Sequence, residues 1–254
     1  MRTSEAGLAA RAAVSRVALA RVFLRSLFLQ AAWNPRGMQN VGFADAIAPA
    51  LDELYPAGTA RAAAAARHLE FFNCHPYLAA AILGGAVALE ERVARGEAAA
   101  ESVSAFKRAL GPPFAALGDG FFWLALRPAA ALAAALTAPA LGLGCVLVFL
   151  GLYNSVHLTA RLWLFWSGYR RGEEIVGSVG RAHLASGTGL IKACGAVLAG
   201  AIAARTVLVA GAPLRVLLAG STVVVAAAVM PRLKSIWAVY IALGLGLALG
   251  DRFF

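Results

Sequence analysis

Seven polar side chains stand where the apolar pattern of this chain breaks: Asn34, Gln39, Asn40, Glu70, Asn73, His75 and Asp119. Their chemistry is that of hydrogen bonding rather than bond making. Amides and carboxylates present several donors and acceptors in fixed planes, and an imidazole adds a donor and an acceptor. A hydrolytic nucleophile would need a partner base, and no GxSxG is present. A zinc site would need HExxH or paired cysteines. His68 and His75 are seven apart, and Cys74, Cys145 and Cys194 form no CxxC. No catalytic residue, metal or cofactor is expected.

These residues sit in a chain unlike a soluble domain. Of its 254 residues, 61% are hydrophobic and 14% charged, against roughly 45–50% and about 25% in soluble globular proteins. So few polar residues cannot cover a soluble surface of this size, and a mostly helical integral membrane protein is expected. The net charge of +10 fits arginines and lysines that flank apolar segments and meet anionic headgroups. No basic stripe with interleaved aromatics marks a nucleic-acid face. In this setting an ionisable group inside a membrane segment is a candidate for function by default.

Residues 8–32 are expected to form one basic amphipathic helix carrying Arg11, Arg16, Arg21 and Arg25. A signal peptide would have an uncharged core there. Such a helix suits the membrane interface or the packing of another subunit. Pro35 and Gly37 end it. A short apolar helix over 43–54 stops at Tyr55-Pro56. Thr59 caps an alanine-rich helix through about Phe72. Pro76 forces a break at Cys74-His75, and a new helix begins there. Residues 91–108 read as a solvated helical connection, and 111–123 as broken by Gly and Pro around Asp119.

Pro128 to Ala160 carries no formal charge over 33 residues, more than the ~20 that span a bilayer. Pro139 and two glycines are expected to split it. After the basic stretch 161–192 come apolar segments over 193–210, 213–230 and 235–250, with Arg205 and Arg215 placed to snorkel. The expected fold class is an all-α integral membrane protein. It has several transmembrane helices, broken or re-entrant helical hairpins and the N-terminal amphipathic helix. One membrane domain over 1–254 divides into that helix (1–32), broken helices (33–128) and transmembrane helices (129–254). Irregular backbone at membrane depth survives only buried in protein or lining a cavity. The interrupted segments 71–90 and 111–128 are therefore the pair that points to a transporter binding site.

Four blocks in order make the chain recognisable: WNPRGMQNVGF (33–43), RHLEFFNCHPYLAAAILGGAVALEE (67–91), GPPFAALGDGFFWLALRP (111–128) and LYNSVHL (152–158). Together they resemble the IID subunit of the mannose/fructose/sorbose-type phosphotransferase-system (PTS) permease, in which the second block reads close to RHLEFFNTHP and the third close to GPLAGIGDxxFWGTLRP. The resemblance runs from about residue 20 to 172 and weakens beyond. It implies a multi-pass protein of the bacterial inner membrane, paired with a IIC subunit and assembled into higher oligomers of IIC–IID pairs. It implies transport of a mannose-type hexose, with phosphate passed from phosphoenolpyruvate through IIA and IIB. The phosphohistidines lie on those partners, so the IID subunit is non-catalytic.

A sugar needs amides, carboxylates and apolar surface around it, and the seven residues at the breaks supply the polar part. Each also has a plainer reading. Glu70 lies three residues after Arg67 and can pair with it on one helix face. Asn73 can cap the next helix. His75 can stand behind the site. Asp119 can cap a half-helix or pair with Arg127, although about 12 Å separates them along a straight helix. Trp33 and Trp123 read as interface anchors, and Asn154 with His157 as interhelical glue. Arg161, Arg170 and Arg171 read as a basic membrane flank, with docking of IIB as the alternative.

The chain departs from the family where WN[FY]ERMQ becomes WNPRGMQ, where GTLRP becomes ALRP, and in an abbreviated stretch over about 204–232. A degenerate or regulatory IID-like structural subunit without sugar transport is the alternative function. A membrane lipid hydrolase or transferase is disfavoured by the missing motifs.

Overall fold

The computed structural model describes residues 13–175, 177 and 184–209. Among these the elements are helical, and β pairing is limited to the isolated bridges Asn34–Met38 and Met38–Phe72. Packing divides the chain into two units, Met1–Arg127 with Leu150–Gly189, and Pro128–Phe149 with Leu190–Phe254. The segments expected at 213–230 and 235–250, with Arg215, lie outside the described residues.

Among the described residues the first unit begins with α1 (Arg16–Ser26), shorter than expected from the arginine pattern; residues 8–12 of the expected helix, with Arg11, lie outside the described residues. Ser15 starts it by accepting the Ala18 N–H at 3.1 Å, which satisfies one free donor of the first turn. Glu53 fixes that serine by accepting from its N–H and its hydroxyl, each at 2.7 Å. Helix α2 (Asn40–Leu54) packs against α1. A Cβ on Gly42 would lie 1.9 Å from the Leu29 carbonyl oxygen, so the chain crosses α2 where only glycine fits. Alanine-rich α3 (Thr59–His68) comes after Gly58 at φ +137°. No side chain caps α3, so Thr59 does not play its expected capping role.

Helix α4 (Ala79–Ala94) is the buried centre of the unit, with Ala79 through Val87 all buried. It starts three residues after Pro76, and the Ala79 N–H donates to the His75 carbonyl at 2.9 Å. Its N-terminus has no side-chain cap, so Asn73 does not serve there. Helix α5 (Ala100–Gly118) packs along α4. The expected break over 111–123 does not occur. Pro112 and Pro113 lie within α5, and a π-helix over Asp119–Leu126 continues it directly. Each π turn closes i→i+5 bonds, so the Gly-Asp-Gly stretch widens the helix and leaves the chain helical.

Helix α6 (Arg127–Leu141) continues without interruption and contains Pro139. Its end is set by glycine: Gly142, at φ +53°, opens a short 3-10 turn to Gly144. Helix α7 (Cys145–Arg171) then runs 27 residues and closes on Arg170 and Arg171, the sign its C-terminal dipole favours. The helical path Ala100–Arg171 is long and apolar enough to cross a membrane. Tyr77 touches both Phe122 (4.9 Å between centroids) and Tyr153 (6.3 Å), so the chain doubles back between them. In the second unit, α8 (Leu184–Val209) lies along α6. Gly195 approaches Ala129, and Arg205 donates to the Leu136 carbonyl at 3.3 Å.

Candidate functional site

Three of the seven residues build a knot. Met38 takes φ +58°, and the turn over 34–38 closes through two backbone hydrogen bonds between Asn34 and Met38. The Asn34 carboxamide oxygen accepts from the N–H groups of Arg36 (3.2 Å) and Gly37 (2.8 Å), the local bonding that makes asparagine a turn residue. Its NH₂ donates to the Asn40 oxygen at 3.0 Å, and the Asn40 NH₂ donates to the Leu69 carbonyl at 2.6 Å. Gln39 is buried and grips the backbone of Cys74 from both sides. It donates to the carbonyl at 2.8 Å and accepts from the N–H at 3.0 Å. The knot ties the 34–40 turn to the 69–74 segment. A Cβ on Gly37 would lie 2.1 Å from the Asn40 carboxamide, so the WNPRGMQ departure fits this turn.

The other four lie along α5. The segment 73–75 runs beside it. A Cβ on Gly111 would meet the Asn73 carbonyl at 3.1 Å, and one on Gly118 would overlap the His75 side chain at 2.3 Å. Asn73 and Asp119 are exposed, whereas Cys74 and His75 are buried. The Asp119 charge reaches Cys74, where burial is the larger cause pushing the thiol upward. Glu70 does not pair with Arg67; it accepts from Arg108 of α5 at 3.2 Å. Asp119 does not pair with Arg127 among the described contacts, and the Arg127 guanidinium sits 4.6 Å over the Trp123 ring. Asn154 and His157 bond each other within α7 at 2.7 Å, and the His157 ring joins α7 to the 73–77 segment by stacking on Tyr77 at 4.4 Å.

Sequence reasoning missed a buried charge network beneath the site. Glu90, wholly buried, accepts from Arg67 at 2.7 and 2.8 Å, from the Tyr55 hydroxyl at 2.7 Å and from His68 Nε2 at 2.8 Å. Burial alone would raise the Glu90 carboxyl, but the Arg67 and His68 hydrogen bonds outweigh it and hold it down to about 2. The bond to Glu90 raises Arg67, and burial lowers His68 and, with Glu90, raises Tyr55. His68 is therefore a neutral ring donating through Nε2, with Nδ1 buried and without a partner among the described residues. Buried Lys107 donates to the Arg67 carbonyl at 2.9 Å and lies 4.9 Å over the Phe43 ring.

The neighbouring Glu91 accepts from the Val14 N–H and the Tyr169 hydroxyl, each at 2.8 Å. Arg161 is also no surface flank. It is 4% exposed, donates to the Ser26 carbonyl at the end of α1, and lies 5.6 Å over the Tyr77 ring. The paired acids closing the second sequence block were the one available signal for this network.

The arrangement presents hydrogen-bonding groups of the kind that hold a polar solute. Asn73 and Asp119 offer an amide and a carboxylate beside a widened helix, and the knot and the Glu90 network hold the backbone beneath them.

The family model of the PTS system mannose/fructose/sorbose family IID component matches residues 13–246. The mannose-specific EIID component of Escherichia coli K12 is 41% identical over 158 residues, 61% of this chain and 56% of that protein. The fructose permease IID component of Bacillus subtilis 168 is 34% identical over 149 residues, 58% and 54% of the two chains. The chain thus spans little more than half the length of these curated relatives. A cryo-EM structure of the mannose transporter ManYZ with microcin E492 has a chain that is 37% identical. It superposes with a TM-score of 0.61 over 75% of this chain and 70% of that one.

Proposed function

The chain belongs to the mannose/fructose/sorbose family of PTS IID components, and from that premise we propose that it forms, with a IIC partner, the conduit for a mannose-type hexose. The sugar is phosphorylated by IIB during uptake, from phosphate carried by IIA. The protein itself is non-catalytic and sits as a multi-pass subunit of a bacterial inner membrane, in a higher oligomer of IIC–IID pairs. The observation that carries this reading is the family match across the four sequence blocks. The exposed pair Asn73 and Asp119 at the paired irregular segments supports it. In this reading those two side chains face the sugar. Asn34, Gln39 and Asn40 hold the floor, Glu70 lies at the rim on Arg108, and His75 stands within.

The test is co-purification with a candidate IIC subunit, then calorimetry with mannose, fructose and sorbose. The expected result is a stable complex that binds one of them, with affinity at least tenfold weaker in Asp119→Ala and in Asn73→Ala. A stable complex that binds none of the three would replace this reading with a structural or regulatory subunit.

A further inference from the structure

His75 has a geometry that a sugar ligand would not. It is 1% exposed. Its ring stacks on Phe122 at 5.1 Å and 16°, and meets Tyr77 at 4.9 Å and Trp123 at 5.4 Å edge to face. Offset stacks and edge contacts at these separations are favourable ring geometries. Gly118 closes against its Cβ so tightly that no side chain fits there. Nδ1 accepts the Tyr77 N–H at 3.3 Å, which leaves the hydrogen on Nε2, and that atom is buried with no partner among the described residues.

Through its ring His75 therefore touches both the residue before the π-helix and the residues inside it. Through its carbonyl it accepts the first N–H of α4. A π-helix is a strained register: losing its one extra residue per turn would rotate the downstream residues by about 100°. Those that would rotate away, Phe122 and Trp123, are the ones that His75 grips. Asn73 lies two residues before it, and Asp119 is the residue directly after Gly118.

Resting on the transport reading above, we propose that His75 is a positioning residue. Its ring locks the π-helical register of Asp119–Leu126 onto the 73–77 segment, which sets the placement of Asn73 against Asp119, and the ring does not touch the sugar. The part that matters is the flat ring, so phenylalanine replaces it. Asparagine keeps a polar atom near Nδ1 but loses the ring.

The experiment compares His75→Phe and His75→Asn in the complex with IIC, by two readouts. The first is hexose uptake. His75→Phe is expected to keep KM within twofold of the parent, and His75→Asn to raise KM at least tenfold with maximal rate changed less. Equal losses in both variants would make Nε2 a sugar ligand and overturn the proposal, as would an unchanged KM in both. The second readout needs no sugar. Asp119→Cys, with Cys145 and Cys194 replaced by serine and buried Cys74 kept, is labelled with a maleimide. The labelling rate is expected to hold in His75→Phe and to change severalfold in His75→Asn. A rate unchanged in both, or shifted equally in both, overturns the proposal. The expected labelling pattern in a complex that moves no hexose would uphold the positioning role and overturn the transport reading alone.

Discussion

At the scale of single residues, the Glu90 network makes the fold sensitive to acid from two directions. His68 is neutral when folded and lowered from its ordinary value by burial. Its contribution is complete above about pH 6.5 and is lost as pH falls below that, because charging it requires a buried proton. Glu90 is held down to about 2. Its contribution is complete above about pH 4.5 and is lost as pH falls toward 2. The melting temperature of the purified complex is therefore expected to fall monotonically from pH 7 to pH 4. Glu90→Gln should lower it at pH 7 by the equivalent of about 3 kcal/mol, because Arg67 is left buried without its acid. A melting temperature flat in pH, or unchanged in Glu90→Gln, would show that the network carries no stability. Beyond the paired acids Glu90 and Glu91, none of this was legible locally. Glu70 has the spacing to pair with Arg67, yet Arg67 reaches Glu90, 23 residues away. Arg161 reads as a flank because nothing in its neighbourhood announces Ser26, 135 residues earlier.

At the scale of elements, the sequence announced helices and their main stops. Tyr55-Pro56 and Pro76 each sit at or near an observed boundary, whereas α1 covers only part of the helix expected over 8–32. It misread 111–128, since glycine and proline signal a break but do not tell a break from a widened turn. Nor does a pattern of small residues say which helix comes close. The structure answers that for α4 and α7. A Cβ on Gly84 would lie 2.2 Å from the Phe165 carbonyl oxygen, and one on Gly168 would lie 2.1 Å from that of Ala81. Each glycine admits the other helix's backbone, the close approach that small residues permit between membrane helices. Gly168→Ala is expected to cost about 1–3 kcal/mol, because backbone atoms cannot move aside as a side chain would. Gly151→Ala on the same helix, with nothing within 4 Å, should leave the melting temperature unchanged. Equal shifts in the two variants would refute the packing argument.

At the scale of the whole molecule, composition carried the class correctly. A chain of 61% hydrophobic residues leaves large apolar side chains facing outward, among them Leu143 (89% exposed), Leu147 (72%), Phe28 (70%) and Leu124 (65%). Scattered exposed leucines are ordinary, but the apolar run around the turn from α6 to α7, Leu141, Leu143, Val146 and Leu147, needs lipid or a partner. The protein is therefore expected to stay in the membrane pellet through high salt and alkaline carbonate, and to leave it only with detergent. Release by salt alone would mean attachment through the +10 charge and not through its helices.

The fastening of α1 has a consequence for biosynthesis. Its leading end is held by Glu91 through the Val14 N–H, and its trailing carbonyl at Ser26 by Arg161. Neither clasp exists when the helix leaves the ribosome. With translation at roughly 5–20 residues per second, the second clasp cannot close for several seconds after Ser26 is made. This early helix is thus among the last of the described elements to be seated. Until α7 arrives, Phe23 lacks the Phe165 ring it meets at 5.6 Å and depends on the lipid surface or on a chaperone for cover.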